Sequence, residues 1–119
     1  MKYIFIIVIV IMVYYGFYFE GLTETYTLPV IRSKAEIMHD IADCESGNRH
    51  FGTDTKLLIH QNSNGSYDIG VYQINSVWYD TATKLGFNIF DKKDNLKFAN
   101  WLYDQMGTQP WNSSANCWK

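Results

Sequence analysis

Residues 33–47, S-K-A-E-I-M-H-D-I-A-D-C-E-S-G, predict a helix with both of its ends marked. Ser33 and Glu36 have the spacing of a capping box, in which each side chain binds the other residue's backbone N–H. Apolar residues follow at intervals of three and four, the spacing of one buried helical face. Gly47 stands where a C-cap glycine belongs, so Glu45 falls in the last turn.

Beyond this helix the pattern predicts one small antiparallel hairpin and two further helices. Residues 56–60 and 67–73 are strand-like runs on either side of the polar turn at 62–65. Ser76 opens a helix that ends at Gly86, and residues 91–94 open another that ends at Gly107. We therefore expect an α+β domain that is mainly α-helical.

The N-terminal segment has the composition of a membrane anchor. Residues 3–19, YIFIIVIVIMVYYGFYF, form an apolar run of 17 after Lys2. Aromatic residues crowd the end where signal-peptide cleavage would need small residues. We predict an uncleaved signal anchor over residues 1–19, a linker over 20–31 and an extracytoplasmic domain over 32–119. Two alternatives stay open: a cleaved signal peptide, which would leave the domain secreted, and a buried core helix.

The charge balance argues against a nucleic-acid partner. Ten basic residues stand against twelve acidic ones in 119, a formal net charge of -2, so no basic field exists to hold a phosphate backbone. Two cysteines are too few for a structural zinc site, and the three histidines do not cluster. We expect no metal, no cofactor and a monomeric protein.

Cys44 and Cys117 form an even pair in a compartment that we expect to be oxidising, so a disulfide is the default prediction. Such a bond would close most of the domain and contribute on the order of 4 kcal/mol on the loop-entropy model. A pair of unpaired buried thiols is the alternative.

Four ordered segments between residues 35 and 118 together resemble the lysozyme-like superfamily. The domain in question is the one shared by lytic transglycosylases and chicken-type lysozymes. The segments are Cys44-Glu45-Ser46-Gly47, Asp68-Ile69-Gly70-Val71-Tyr72-Gln73-Ile74-Asn75, Leu85-Gly86, and Pro110-Trp111 with Cys117-Trp118.

This resemblance implies a lysozyme-like fold that cleaves the β-1,4 bond between N-acetylmuramic acid and N-acetylglucosamine in peptidoglycan. Glu45 would be the catalytic acid, which must stay protonated until substrate arrives. Trp111 resembles the tryptophan that raises the pKa of the catalytic glutamate in lysozymes, and we expect it to pack against Glu45. An ordinary core tryptophan is the alternative.

Asp68 decides between two reactions. In chicken-type lysozymes the similar aspartate stabilises or attacks the oxocarbenium centre, whereas lytic transglycosylases need no second carboxylate and leave a 1,6-anhydro end. Asp68 lies 23 residues after Glu45, a longer interval than in chicken-type lysozymes. An aspartate that caps its own hairpin turn is the structural alternative. The other segments favour the transglycosylase, with the hydrolase as the alternative.

The remaining candidate residues would contact the glycan strand. Gln73 and Asn75 resemble the polar pair that lines the groove of the family, while Tyr72 and Trp78 could stack on sugar rings. Since fold does not determine function, a non-catalytic wall-binding module with the same fold is a third hypothesis.

Overall fold

A computed structural model of the chain describes residues 30–119. The predicted anchor over residues 1–19, and the predicted linker as far as residue 29, lie outside the described residues. Among residues 30–119, no helix is both long and apolar enough to cross a membrane. Ile31–Lys119 form one compact unit.

The first helix, α1, spans Lys34–Ser46 and confirms the predicted end signals. The Ser33 hydroxyl accepts the backbone N–H of Glu36, and the Glu36 carboxylate accepts the N–H of Ser33, so the capping box is complete. Gly47 ends the helix in the left-handed conformation, with φ 62°. This glycine turns the chain away just after Glu45, which is half-buried in the last turn.

The predicted hairpin is part of a larger sheet. Three short antiparallel strands lie in the order β1-β2-β3, with β2 in the centre. The strands are shorter than the predicted runs; they are Ile59–Gln61 (β1), Tyr67–Ile69 (β2) and Ile74–Asn75 (β3).

A tight turn explains the third strand. The predicted second strand breaks at Gly70, whose φ is 75°, and the Gln73 N–H donates to the Gly70 carbonyl at 3.2 Å. The chain therefore reverses, and β3 pairs back on β2 with Asp68 opposite Asn75. The prediction of a single hairpin was wrong. A glycine within a strand-like run indicates a break in the strand, but it does not indicate that the chain reverses direction there.

Three further α-helices and two 3-10 segments complete the α+β domain, which is about half helical. The short helix α2 spans Tyr79–Lys84 and follows a 3-10 turn at Ser76–Trp78. Asn75 caps this 3-10 turn, whereas Ser76 was the predicted cap. Asp91 caps α3, Lys92–Met106, as predicted. A 3-10 segment at Gln109–Ser114 then leads into α4, Ala115–Trp118.

The predicted disulfide is confirmed. Cys44 in α1 is bonded to Cys117 in α4, with 6.0 Å between the Cα atoms and a sequence separation of 73. The bond holds the end of α1 against the last helix of the chain. It is reinforced by the Arg32 guanidinium, which donates to the Trp118 carbonyl at 2.8 Å.

A buried polar cluster supports the turn at Gly70. The Asn95 amide donates to the carbonyls of Ile69 and Ile89, each at 2.9 Å, and its oxygen accepts the Tyr72 N–H at 3.3 Å. His50 lies beside it, 2% exposed. Every bond from Asn95 ends on backbone, so this one side chain fixes the path of the loop that joins β2 to β3.

Replacing Gly70 by alanine should therefore destabilise the fold strongly. A Cβ at this position would lie 2.6 Å from the His50 ring and 2.7 Å from the Asn95 amide. Gly86 is the matched control, since its φ of 81° is similar but a Cβ there meets nothing within 4 Å. In urea unfolding we expect Gly86→Ala to lose about 1 kcal/mol and Gly70→Ala to lose about 3 kcal/mol. Equal losses would contradict the steric argument.

Candidate active site

A polar cleft of about 360 Å³ lies between the end of α1, the sheet and the 3-10 segment. We call it the carboxylate cleft, because two acidic side chains from distant parts of the sequence line it. It is lined by Glu45, Asn62, Ser63, Asn64, Ser66, Asp68, Gln73, Asn75, Pro110 and Ser113.

Glu45 is held in a setting that favours its protonated form. Burial raises the pKa of Glu45, because loss of solvent disfavours the charged carboxylate. The Ser114 hydroxyl, which donates to Oε1 at 2.5 Å, acts in the opposite direction, and the negative charge of Asp68 raises the pKa further. The net effect is a raised pKa, as a general acid requires.

Asp68 has very different surroundings. Its Oδ1 accepts an amide N–H from Asn75 at 2.7 Å, and its Oδ2 accepts one from Asn62 at 2.8 Å. The same two amides also donate to the Ser66 hydroxyl oxygen, at 3.0 and 3.1 Å. Both carboxyl oxygens of Asp68 therefore act as hydrogen-bond acceptors, and the two amides fix the orientation of this side chain.

The hairpin turn between β1 and β2 is capped by Asn64 and not by Asp68. Asn64 accepts both the backbone N–H and the hydroxyl of Ser66, at 3.0 and 2.7 Å, which is the local role that the sequence left open for Asp68. The side chain of Asp68 is thus available to the cleft. The 23-residue interval does not keep the carboxyls apart, because Glu45 and Asp68 line the same cleft.

The two predicted polar residues, Gln73 and Asn75, both line the carboxylate cleft, and their side chains make different hydrogen bonds. The Asn75 amide donates to Asp68 and Ser66, and its oxygen accepts the Val77 N–H. This side chain therefore holds its neighbours in the cleft in place. Gln73 uses one amide N–H on the Gly70 carbonyl at 2.8 Å. Its backbone is in the left-handed region, with φ 44°, a strained conformation for a residue with a Cβ.

The predicted aromatic residues do not line the carboxylate cleft. Tyr72 is 6% exposed and Trp111 is 3% exposed, and the Trp111 indole N–H donates to the Tyr72 carbonyl at 2.9 Å. Such burial leaves the Tyr72 ring no free face to stack on a sugar, whereas for Trp111 it matches the core alternative. Packing of Trp111 against Glu45 stays a prediction. Pro110 and Ser113 are the residues of that segment that line the cleft beside Glu45. Trp78 is partly buried against the core and lines a small recess next to the cleft.

The sequence did not indicate three of the residues that hold the two carboxyls of the site. Asn62 and Ser66 looked like ordinary turn residues, although together they hold Asp68. Ser114 carried no signal except that it lies three positions before Cys117. Among residues 30–119, no group of three or more acidic, histidine or cysteine side chains is placed to hold a metal ion.

Removing the charge of Asp68 should lower the pKa of Glu45, because the two negative charges repel each other. We expect Asp68→Asn to shift the carboxyl titration of Glu45, followed by ¹³C NMR, to lower pH. Asp80→Asn removes the same charge from an exposed residue outside the cleft and should leave the titration in place. An unchanged titration in Asp68→Asn would show that the carboxyls do not interact.

Glu45 should also make stability depend on pH in a defined direction. Since its pKa is raised in the folded state, the folded protein binds this proton more tightly, and the stability it supplies is lost as pH rises through the folded pKa. Glu45→Gln should therefore melt at the same temperature as the parent chain below about pH 4 and at a higher temperature at neutral pH. Melting curves across this range test the sign, and a variant that is less stable at neutral pH would contradict it.

Comparison with models of protein families, with curated proteins and with solved structures finds no match to this chain. The geometry of the carboxylate cleft and the four sequence segments therefore carry the functional argument.

Proposed function

We propose that this protein is a glycosidase that cleaves the β-1,4 bond between N-acetylmuramic acid and N-acetylglucosamine in peptidoglycan. One observation carries the proposal: Glu45, with a raised pKa, and Asp68, held by two amide donors, line the same polar cleft. A glutamate whose pKa is raised and a second carboxyl that is held by hydrogen bonds in the same cleft are the pair that glycoside cleavage uses.

In this reaction the protonated Glu45 donates its proton to the glycosidic oxygen as the bond from that oxygen to C1 breaks. The positive charge that develops at C1 is stabilised by the carboxylate of Asp68. The ionised Glu45 then takes a proton from the water that adds to C1, which restores the acid and completes hydrolysis. Each carboxyl ends the cycle in its starting state.

We place hydrolysis ahead of transglycosylation, although the sequence segments favour the latter. A lytic transglycosylase uses the 6-hydroxyl of muramic acid as the nucleophile and needs no second carboxylate. Two asparagine amides and a serine hydroxyl are committed to holding Asp68, either directly or through each other. An arrangement that holds this carboxylate so firmly supports a role for it in the reaction.

The lining of the carboxylate cleft supports an uncharged, hydroxyl-rich substrate. Amide and hydroxyl side chains dominate it, and hydrogen bonds from such groups suit sugar hydroxyls and N-acetyl groups. A glycan-binding module without turnover would use the same polar groups. It would gain nothing from a half-buried glutamate whose pKa is raised, which is why we favour the enzyme. The proposed location is extracytoplasmic, on a membrane anchor or secreted.

The role of Glu45 is tested by incubating the full chain with purified peptidoglycan sacculi and measuring the release of soluble sugar fragments. We expect Glu45→Gln to lower the rate by about 10³-fold, the scale of a lost general acid. Asp80→Asn, which removes one charge outside the cleft, should keep the parent rate. A Glu45→Gln variant with full activity would refute the proposal.

The same digests identify the reaction when their products are analysed by mass spectrometry. Reducing muramic ends would support hydrolysis and a role for Asp68, and Asp68→Asn should then lose activity. Ends in the 1,6-anhydro form would show a transglycosylase in which Asp68 is structural. Binding of the parent chain to sacculi without any released product would favour the wall-binding module.

A further inference from the structure

The Ser114 hydroxyl lies among three polar atoms that are fixed by other parts of the domain. Its oxygen is 2.5 Å from Glu45 Oε1, 3.0 Å from the Trp111 carbonyl oxygen and 3.1 Å from the Trp118 indole nitrogen. Trp111 and Trp118 are 3% and 5% exposed, so the serine is held by the backbone of one buried residue and the side chain of another.

Counting protons assigns the direction of each hydrogen bond. A serine hydroxyl has one proton to donate and two lone pairs that accept, while an indole N–H can only donate. Trp118 therefore donates to Ser114, and the serine proton goes either to Glu45 or to the Trp111 carbonyl. That carbonyl also receives the Trp118 N–H at 3.2 Å, so it keeps a partner when the serine proton points to Glu45.

We propose that Ser114 is a positioning residue that keeps Oε1 of Glu45 as a hydrogen-bond acceptor, so that the acidic proton resides on Oε2. Oε1 can accept the serine proton both as the carbonyl oxygen of the neutral acid and as part of the carboxylate. For Oε2, the part of the chain that the structure describes offers no hydrogen-bond donor or acceptor. The proton is thereby kept on the oxygen that is free to meet a glycosidic oxygen.

The covalent structure explains why Ser114 is held so firmly. It lies three residues before Cys117, whose disulfide partner Cys44 immediately precedes Glu45. The serine and the glutamate are thus connected by a short path through the disulfide. This fixes the side chain that orients the acid, which is the usual requirement for a precise site.

The catalytic part of this inference depends on the proposed function, while the hold of Ser114 on Glu45 does not. The Ser114 hydrogen bond lowers the pKa of Glu45 against the opposite effects of burial and Asp68. Its removal should raise that pKa and leave the carboxyl free to rotate. Since a general acid works in its protonated form, the alkaline limb of the pH–rate profile should move to higher pH while kcat falls.

The direct test is the ¹³C carboxyl titration of Glu45 in the full chain. We expect Ser114→Ala to shift the titration to higher pH and Ser114→Thr, which keeps the hydroxyl, to retain the parent value. Asn112→Ala, an exposed neighbour in the same 3-10 segment, is the control and should change nothing. If the alanine variant fails to fold, Ser114→Val provides the comparison, because valine and threonine match in shape and differ in the hydroxyl.

Enzyme assays on sacculi complete the test. We expect Ser114→Ala to lower kcat by about tenfold to a hundredfold with little change in KM, and to move the alkaline limb upward, with Ser114→Thr restoring both. An unshifted Glu45 titration in both Ser114→Ala and Ser114→Val would overturn the inference. An upward shift in a protein that cleaves no glycan would instead refute the proposed function and leave the contact between Ser114 and Glu45 established.

Discussion

The bond between Cys44 and Cys117 ties the end of α1 to the last helix of the chain, across a sequence separation of 73. Cys44 immediately precedes Glu45, and Cys117 follows Ser114 by three residues, so the bond brings together the carboxyl and the hydroxyl that contacts it. A loop of this length contributes on the order of 4 kcal/mol on the loop-entropy model. In a domain this small, such a covalent constraint supports both stability and the geometry of the site.

The turn at Gly70 supplies the other half of the carboxylate cleft. The side chain of Asn95 holds this turn through hydrogen bonds to its backbone. β3 then pairs with β2 so that Asn75 lies opposite Asp68. The cleft thus combines a carboxyl whose pKa burial raises with one whose two oxygens accept hydrogen bonds from amide donors. Chemically distinct roles for two acidic residues follow from these surroundings, and the proposed glycosidase reaction uses both.

Local signals predicted the helix ends well, because a cap depends on residues three or four positions apart. Ser33, Gly47 and Asp91 cap helices at the predicted positions. The two predicted catalytic carboxyls, Glu45 and Asp68, line one cleft. The tertiary contacts were harder. The sequence does not distinguish an aromatic side chain that faces a cleft from one that faces the core, which is why Tyr72 was predicted to contact the glycan and is buried instead. Ser114 contacts a partner 69 positions away, a distance at which no local pattern gives a signal.

The most direct test of the proposed role of Glu45 compares two measurements of its pKa, one from the reaction rate and one from NMR. The alkaline limb of kcat/KM for peptidoglycan cleavage reports the ionisation of the essential acid in the free protein. If Glu45 is that acid, the pKa from this limb will equal the pKa from the ¹³C titration of its carboxyl, above the ordinary range for glutamate. A rate that falls at a pH where Glu45 does not titrate would contradict the account.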